Sequence, residues 1–213
     1  MIKKLHLLLI VLLIVVTSNG CGISVSGSIH GIVLEEGTNK PIEGAIVVAR
    51  WVGEKWPIQP VIKCFHVETA VTDRKGRYVI PNTIFKVGNK IYKDISVMMS
   101  VYKPGRKTIW KDEQGLKSSI DRGADIEVIH MEGVSGTRKE RMLALSGGMV
   151  RCDGAGESKI KLAPLYEDIY KRVEQLADPI KDEVFLENMR ILVERIKLND
   201  GELMKWEKRS GSG

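Results

Sequence analysis

From Ile23 to about Glu132, apolar residues recur at every second position. Phe65, Val67, Thr69 and Val71 alternate with His66, Glu68, Ala70 and Thr72. Ile95, Val97, Met99 and Val101 alternate with Ser96, Met98, Ser100 and Tyr102. A period of two places one set of side chains on one face of a strand, so these segments cannot bury an apolar face as helices. Gly44 to Arg50 is instead a nearly continuous apolar run, the pattern of a strand buried on both faces. Turn residues separate the runs: Gly37-Thr38-Asn39-Lys40-Pro41, Asp73-Arg74-Lys75-Gly76, Pro81-Asn82 and Lys103-Pro104-Gly105. Short strands punctuated at such intervals predict an all-β sandwich over this part of the chain. Aromatic residues make up only 6% of the sequence, so its core must be mostly aliphatic.

The Asp73-x-x-Gly76 turn has a local mechanism. The Asp carboxylate can accept from backbone N–H groups ahead of it, and Gly tolerates the positive φ that closes the hairpin. The flanking strands are predicted at about 65–72 and 77–81. Three stretches together carry a resemblance: Gly31-Ile32-Val33-Leu34, Gly37 to Val47, and Thr72-Asp73-Arg74-Lys75-Gly76-Arg77-Tyr78-Val79-Ile80. Their pattern resembles a carboxypeptidase regulatory-like domain. Lys103-Pro104-Gly105-Arg106 resembles that family's later Pro-Gly-Tyr turn, with Arg106 where an aromatic is usual. The resemblance implies a transthyretin-like, seven-stranded antiparallel β-sandwich over residues 23–132. It also implies a domain that is not itself catalytic, of a kind found beside peptidases, in outer-membrane receptors and in envelope proteins.

After Glu132 the periodicity changes to that of helices. Thr137-Arg138-Lys139-Glu140 has the spacing of a capping box. A short helix should follow, with Met142, Leu143 and Leu145 inward, and end at Gly147-Gly148. Arg151 to Ser158 reads as a Gly-rich loop. Leu165, Ile169, Val173 and Leu176 share a second helical face. Asp178-Pro179 is predicted to stop that helix and start a third, as N-cap and N1. Ile180, Val184, Met189, Leu192 and Ile196 would form its apolar stripe, ending at Asn199-Asp200-Gly201. Residues 137–208 are therefore expected to be a short helix plus a helical hairpin, making the whole chain an α+β protein.

Residues 1–20 read as an address. Lys3 and Lys4 precede an apolar run from Leu5 to Val16, broken once by His6. That run is well short of the roughly 20 residues a spanning helix needs, which favours an export signal. Ser18-Asn19-Gly20-Cys21 resembles the end of a bacterial lipoprotein signal, in its small residue and Cys. The resemblance implies that Cys21 becomes the lipidated N-terminus and tethers the chain to the envelope; Gly22 favours the outer membrane or the periplasmic face. Ordinary cleavage after the small-x-small Ser18-Asn19-Gly20 and an uncleaved anchor are the alternatives. Removing this segment lowers the formal net charge from +6 to +4. The remaining basic residues form no dense stripe interleaved with aromatics, so no nucleic-acid partner is expected.

Candidate chemistry is sparse. Cys64 and Cys152 remain in the exported chain, where a disulfide is feasible. Cys64, His66 and Glu68 alternate on a strand and could converge on a metal, with His30 or His130 adding a ligand. A solvated polar face is the simpler reading, and neither a metal nor a cofactor is expected. No His pair has zincin spacing, and the His-x-x-Glu of zinc carboxypeptidases is absent. Glu132 to Gly136 is not a nucleophile elbow, and Gly154 to Lys159 is not a phosphate loop. Trp51, Trp56 and Trp110 could present rings to a glycan, although packing is the commoner fate of Trp. The expectation is a non-catalytic, lipid-anchored envelope protein with a binding or structural role, whose partner is an envelope protein or glycan.

Overall fold

The computed structural model describes residues 23–55, 61–86, 92–111, 126–152, 156–198 and 202. Among these residues nine strands form: β1 (Ile23–Ser26), β2 (Ile29–Glu35), β3 (Ile46–Lys55), β4 (Val61–Val71), β5 (Arg77–Ile80), β6 (Thr83–Lys86), β7 (Tyr92–Tyr102), β8 (Ile109–Lys111) and β9 (Glu127–Met131). Three helices follow: α1 (Arg138–Ser146), α2 (Ala163–Leu176) and α3 (Glu183–Lys197), with a 3-10 helix at Gly156–Leu162. Seven strands lie in two sheets, ordered β4-β3-β7-β8 and β5-β2-β9, while β1 and β6 pair as a separate ribbon. Among the described residues, no helix is long and apolar enough to cross a membrane.

The arrangement is three layers deep. Val47, Ala49 and Trp51 of β3 point toward the three-stranded sheet and join Val33, Tyr78, Ile80, Met99, Val101, Ile129 and Met131 in one core. Val48 of β3, Val67 of β4 and Tyr102 of β7 point the other way, into a second core with Leu145, Leu162, Leu165, Ile169 and Val173. The continuous apolar run of β3 is thus explained by cover on both sides, since Ala45, Val47, Val48 and Ala49 are all fully buried.

Local turn chemistry acts as the sequence predicts. Asp73 Oδ1 accepts from the amides of Lys75 (2.8 Å) and Arg77 (2.9 Å). Gly76 takes φ +72°, and a Cβ there would strike the Val33 carbonyl. Thr137 caps α1: its hydroxyl accepts from the Glu140 amide, and Glu140 accepts in return from the Thr137 amide. α1 ends at Gly147, and Gly148 lets the chain pass against Tyr102 and Ile169.

Four expectations are corrected. The sandwich is not wholly antiparallel, because β9 runs parallel to β2, from Gly31↔Glu127 to Glu35↔Met131. No hairpin joins these two strands; the chain visits the other sheet between them, so turn geometry does not dictate their relative direction. Leu143 is 57% exposed, because the buried face of α1 runs through Met142 and Leu145 at i, i+3 spacing. Ile180 and Val184 are 87% and 75% exposed. They leave the stripe because Asp178 builds a turn, accepting from the amides of Ile180 (3.1 Å) and Lys181 (3.2 Å), and α3 starts only at Glu183. Finally, the segment expected to be a loop from Arg151 to Ser158 passes into the 3-10 helix at Gly156. Residues 1–20, Cys21 and the predicted stop at Asn199-Asp200-Gly201 lie outside the described residues.

Candidate functional site

The helical layer is fastened to the four-stranded sheet by a covalent bond. Cys64 of β4 and Cys152, beyond α1, form a disulfide with Cα atoms 4.9 Å apart. A bulge in β4 aims Cys64 at its partner. Trp51 pairs with His66 and Val52 with Cys64, so Phe65 is the extra residue. Cys64 therefore faces the helices, whereas Phe65 packs into the inter-sheet core. The simple alternation that would bring Cys64, His66 and Glu68 together fails at this bulge, and Cys64 is engaged in the disulfide. His30 bonds Ser28 Oγ at 2.8 Å and His130 bonds Asn39 Oδ1 at 3.1 Å, so neither joins His66. Among the described residues, no group of three or more His, Cys, Asp or Glu is placed to hold a metal ion.

His66 and Glu68 instead form part of a latch at the edge of the sheet. His66 Nε2 donates to Glu68 Oε1 at 3.0 Å, which fixes the proton on that nitrogen because an ionised carboxylate only accepts. Lys161 Nζ also donates to Glu68, from the 3-10 helix. The His66 ring meets Trp51 edge-on at 5.2 Å. Burial lowers the His66 pKa, outweighing the opposing pull of Glu68. A histidine held neutral in the fold takes up its proton more readily once unfolded. Its contribution is therefore complete above about pH 6.5 and is lost as the pH falls from there toward the depressed folded value. His66→Gln should accordingly reduce the loss of stability between about pH 7.5 and about pH 5.5. Urea unfolding of both proteins at the two pH values measures this, and an unchanged difference contradicts it.

Trp51 and Trp110, the described ring candidates, do not make a common platform. Trp51 is 1% exposed in the inter-sheet core, so it is corrected from a surface ring to a core residue. Trp110 on β8 is 47% exposed, with the Arg50 guanidinium 5.1 Å from its ring centre. Trp56 lies outside the described residues.

A cleft of about 230 Å³ opens where the sheet meets the helices. One wall is the turn Pro104-Gly105-Arg106 with Val134; the other is Arg141, Ala144 and Leu145 of α1 with Arg172, Gln175 and Leu176 of α2. The turn after β7 is held in place by the chain after β9: the Val134 amide donates to the Gly105 carbonyl (2.9 Å), and the Lys107 amide donates to that of Glu132 (2.8 Å). Arg138 holds the opposite wall, donating to Asp182 Oδ2 (2.6 Å) and the Leu176 carbonyl (3.0 Å).

Three guanidinium groups line this cleft, in different states. Arg106 pairs with Glu35, which also accepts from the Thr38 hydroxyl at 2.6 Å; these hydrogen bonds hold the Glu35 carboxyl below its ordinary range. Arg172 Nε donates to Asp168 Oδ2 at 2.8 Å, and the Tyr102 hydroxyl donates to the same oxygen at 2.9 Å. Burial, then the bond to Asp168, raises the Tyr102 pKa and keeps its hydroxyl protonated. Among the described residues, Arg141 has no ion-pair partner. The rest of the lining is largely apolar: Pro104, Val134, Ala144, Leu145 and Leu176. Such a surface suits a ligand with an anionic end and an apolar body.

The cleft draws on segments scattered from residue 104 to residue 176, and the sequence singled out none of them as a site. The one available signal was Arg106, which stands where the turn departs from the aromatic its pattern suggests. Comparison with family models, with curated proteins and with solved structures finds no match to this chain. Its architecture is a mixed β-sheet domain, not a barrel, followed by C-terminal helices.

Proposed function

We propose that this chain is an exported, lipid-anchored and non-catalytic binding module of the bacterial envelope, which takes an organic anion in the cleft between sheet and helices. The supporting observation is Arg141, an exposed cation without an ion-pair partner among the described residues, in the lining of a largely apolar cleft that holds two further arginines. The half-buried Arg106 and Arg172 are paired with carboxylates, whereas Arg141 is exposed. Unpaired, Arg141 offers its donors to a carboxylate or phosphate brought by a ligand. The lipid tether at Cys21 and the envelope location are parts of the same proposal, drawn from the export signal.

Two measurements test it. Ligands that bind only the folded state raise its stability by mass action. Hexanoate, dibutyl phosphate, hexyl phosphate and citrate are offered to the purified chain, and melting is followed. At least one should raise the melting temperature of the wild type, with the shift abolished in Arg141→Ala. If none does, the binding role is wrong. In cells, Cys21→Ser should move the chain from the membrane to the soluble fraction; continued retention refutes the lipid tether.

A further inference from the structure

Resting on the binding role proposed above, we infer that the ligand of this cleft is a singly charged organic anion, a carboxylate or phosphodiester with a short apolar substituent, and that Glu35 and Asp168 set this selectivity. Three guanidinium groups line the cleft, but two already face carboxylates: Arg106 meets Glu35 and Arg172 meets Asp168. Among the described residues, one of the three guanidinium charges lining the cleft is left without a carboxylate, that of Arg141. Of the charges just beyond the cleft, two cations are paired with carboxylates, and the Lys103 ammonium is turned to the Glu43 carbonyl. Lys107 binds Glu132 and Arg138 binds Asp182. Glu140 is turned back to the first turn of α1, where it accepts from the Thr137 amide and faces the positive end of the helix.

A charge entering a largely apolar cleft loses water and must regain its interactions from the wall. A monoanion finds one free guanidinium and is neutralised. A dianion would bring a second charge with no free counter-charge, and would have to pull Arg106 from Glu35 or Arg172 from Asp168. Either exchange leaves a carboxylate with a hydroxyl donor but no cation while a second negative charge enters. A neutral amphiphile would use the apolar lining but leave Arg141 unpaired. The apolar part of the lining, Pro104, Val134, Ala144, Leu145 and Leu176, favours a few methylenes behind the charged end. The small volume of the cleft, about 230 Å³, limits how much of the ligand it encloses.

Isothermal titration of the purified chain with hexanoate, dibutyl phosphate, hexyl phosphate and hexanol tests this. The first two carry one charge near neutrality, hexyl phosphate approaches two, and hexanol has none. At least one of the monoanions should bind more tightly than both hexyl phosphate and hexanol; which one leads distinguishes a carboxylate from a phosphodiester ligand. Glu35→Gln frees Arg106 and should shift the ratio of affinities toward hexyl phosphate by about tenfold, the scale of one charge-assisted hydrogen bond. Asp168→Asn frees Arg172 and should act in the same direction, so the test does not hang on one variant. Hexyl phosphate binding as tightly as the monoanions in the wild type overturns the inference but leaves the binding role standing. So do hexanol binding equally well and an unmoved ratio in both variants. Failure of all four compounds to bind overturns both.

Discussion

Removing the Cys64–Cys152 bridge should cost the protein about 2–4.5 kcal/mol of stability, the upper figure being the chain-entropy value for a closed loop of this length. The two cysteines are 88 residues apart, so the bond removes a large part of the unfolded chain's freedom. Its position adds to the effect. Cys64 is on β4, an edge strand of the four-stranded sheet, and Cys152 is buried between α1 and the 3-10 helix of the helical layer. Without the bond, that layer is held to β4 by Val67, by the hydrogen bonds from the Val67 amide and Thr69 hydroxyl, and by the Lys161–Glu68 pair. The variant to measure is Cys64→Ala with Cys152→Ala, since alanine leaves no unbonded hydroxyl in the second core. Its urea midpoint, compared with the oxidised wild type, gives the loss; a difference under about 1 kcal/mol would contradict the clamp. Protease should also cut the helical segment faster in the variant, because local opening then needs no broken bond.

Ile169→Ala should destabilise by about 2–5 kcal/mol, whereas Ile180→Ala should change stability by no more than about 0.5 kcal/mol. Both lose the same atoms. Ile169 is fully buried on α2, in the core shared with Val48, Tyr102 and Leu145, and it touches the Gly148 crossing. Its truncation leaves a cavity between two layers that are each already packed on their other side or tied by the disulfide, so collapse to fill it is restricted. Ile180 stands in the turn before α3, almost wholly in solvent. Chemical denaturation of the two variants side by side measures the contrast. Similar losses would mean that the helices are not packed as described.

Much of the sheet was legible because its determinants are local. The Asp73 turn, the capping box at Thr137 and the doubly buried run at Ala45 to Ala49 are each written in a few consecutive residues. The α2 stripe of Leu165, Ile169 and Val173 is likewise set by helical spacing alone, and all three are buried. What escaped was non-local. Nothing beside Glu127 to Met131 says that this strand lies parallel to β2. The bulge at Phe65 is a mismatch between two strands, invisible in either one, yet it decides that Cys64 faces Cys152 rather than His66. Trp51 reads as a ring for either surface or core, and only its place in the middle strand settles its burial. The cleft was the least legible part. Arg106, Arg141 and Arg172 lie on three separate elements, and each is an ordinary surface arginine when read alone.

The parallel return of β9 also bears on how the chain acquires its shape. β2 is made early, but one of its two neighbours arrives only after all four strands of the other sheet and the segment leading to Ile126 have been synthesised. Until then one edge of β2 and the inner face of Tyr78 lack Ile129 and Met131. A nascent chain therefore holds an unfinished, adhesive sheet through most of its production, and contacts of such long sequence separation are slow to form. Folding of this protein is expected to be a late, concerted event rather than a stepwise accretion from the first strand onward.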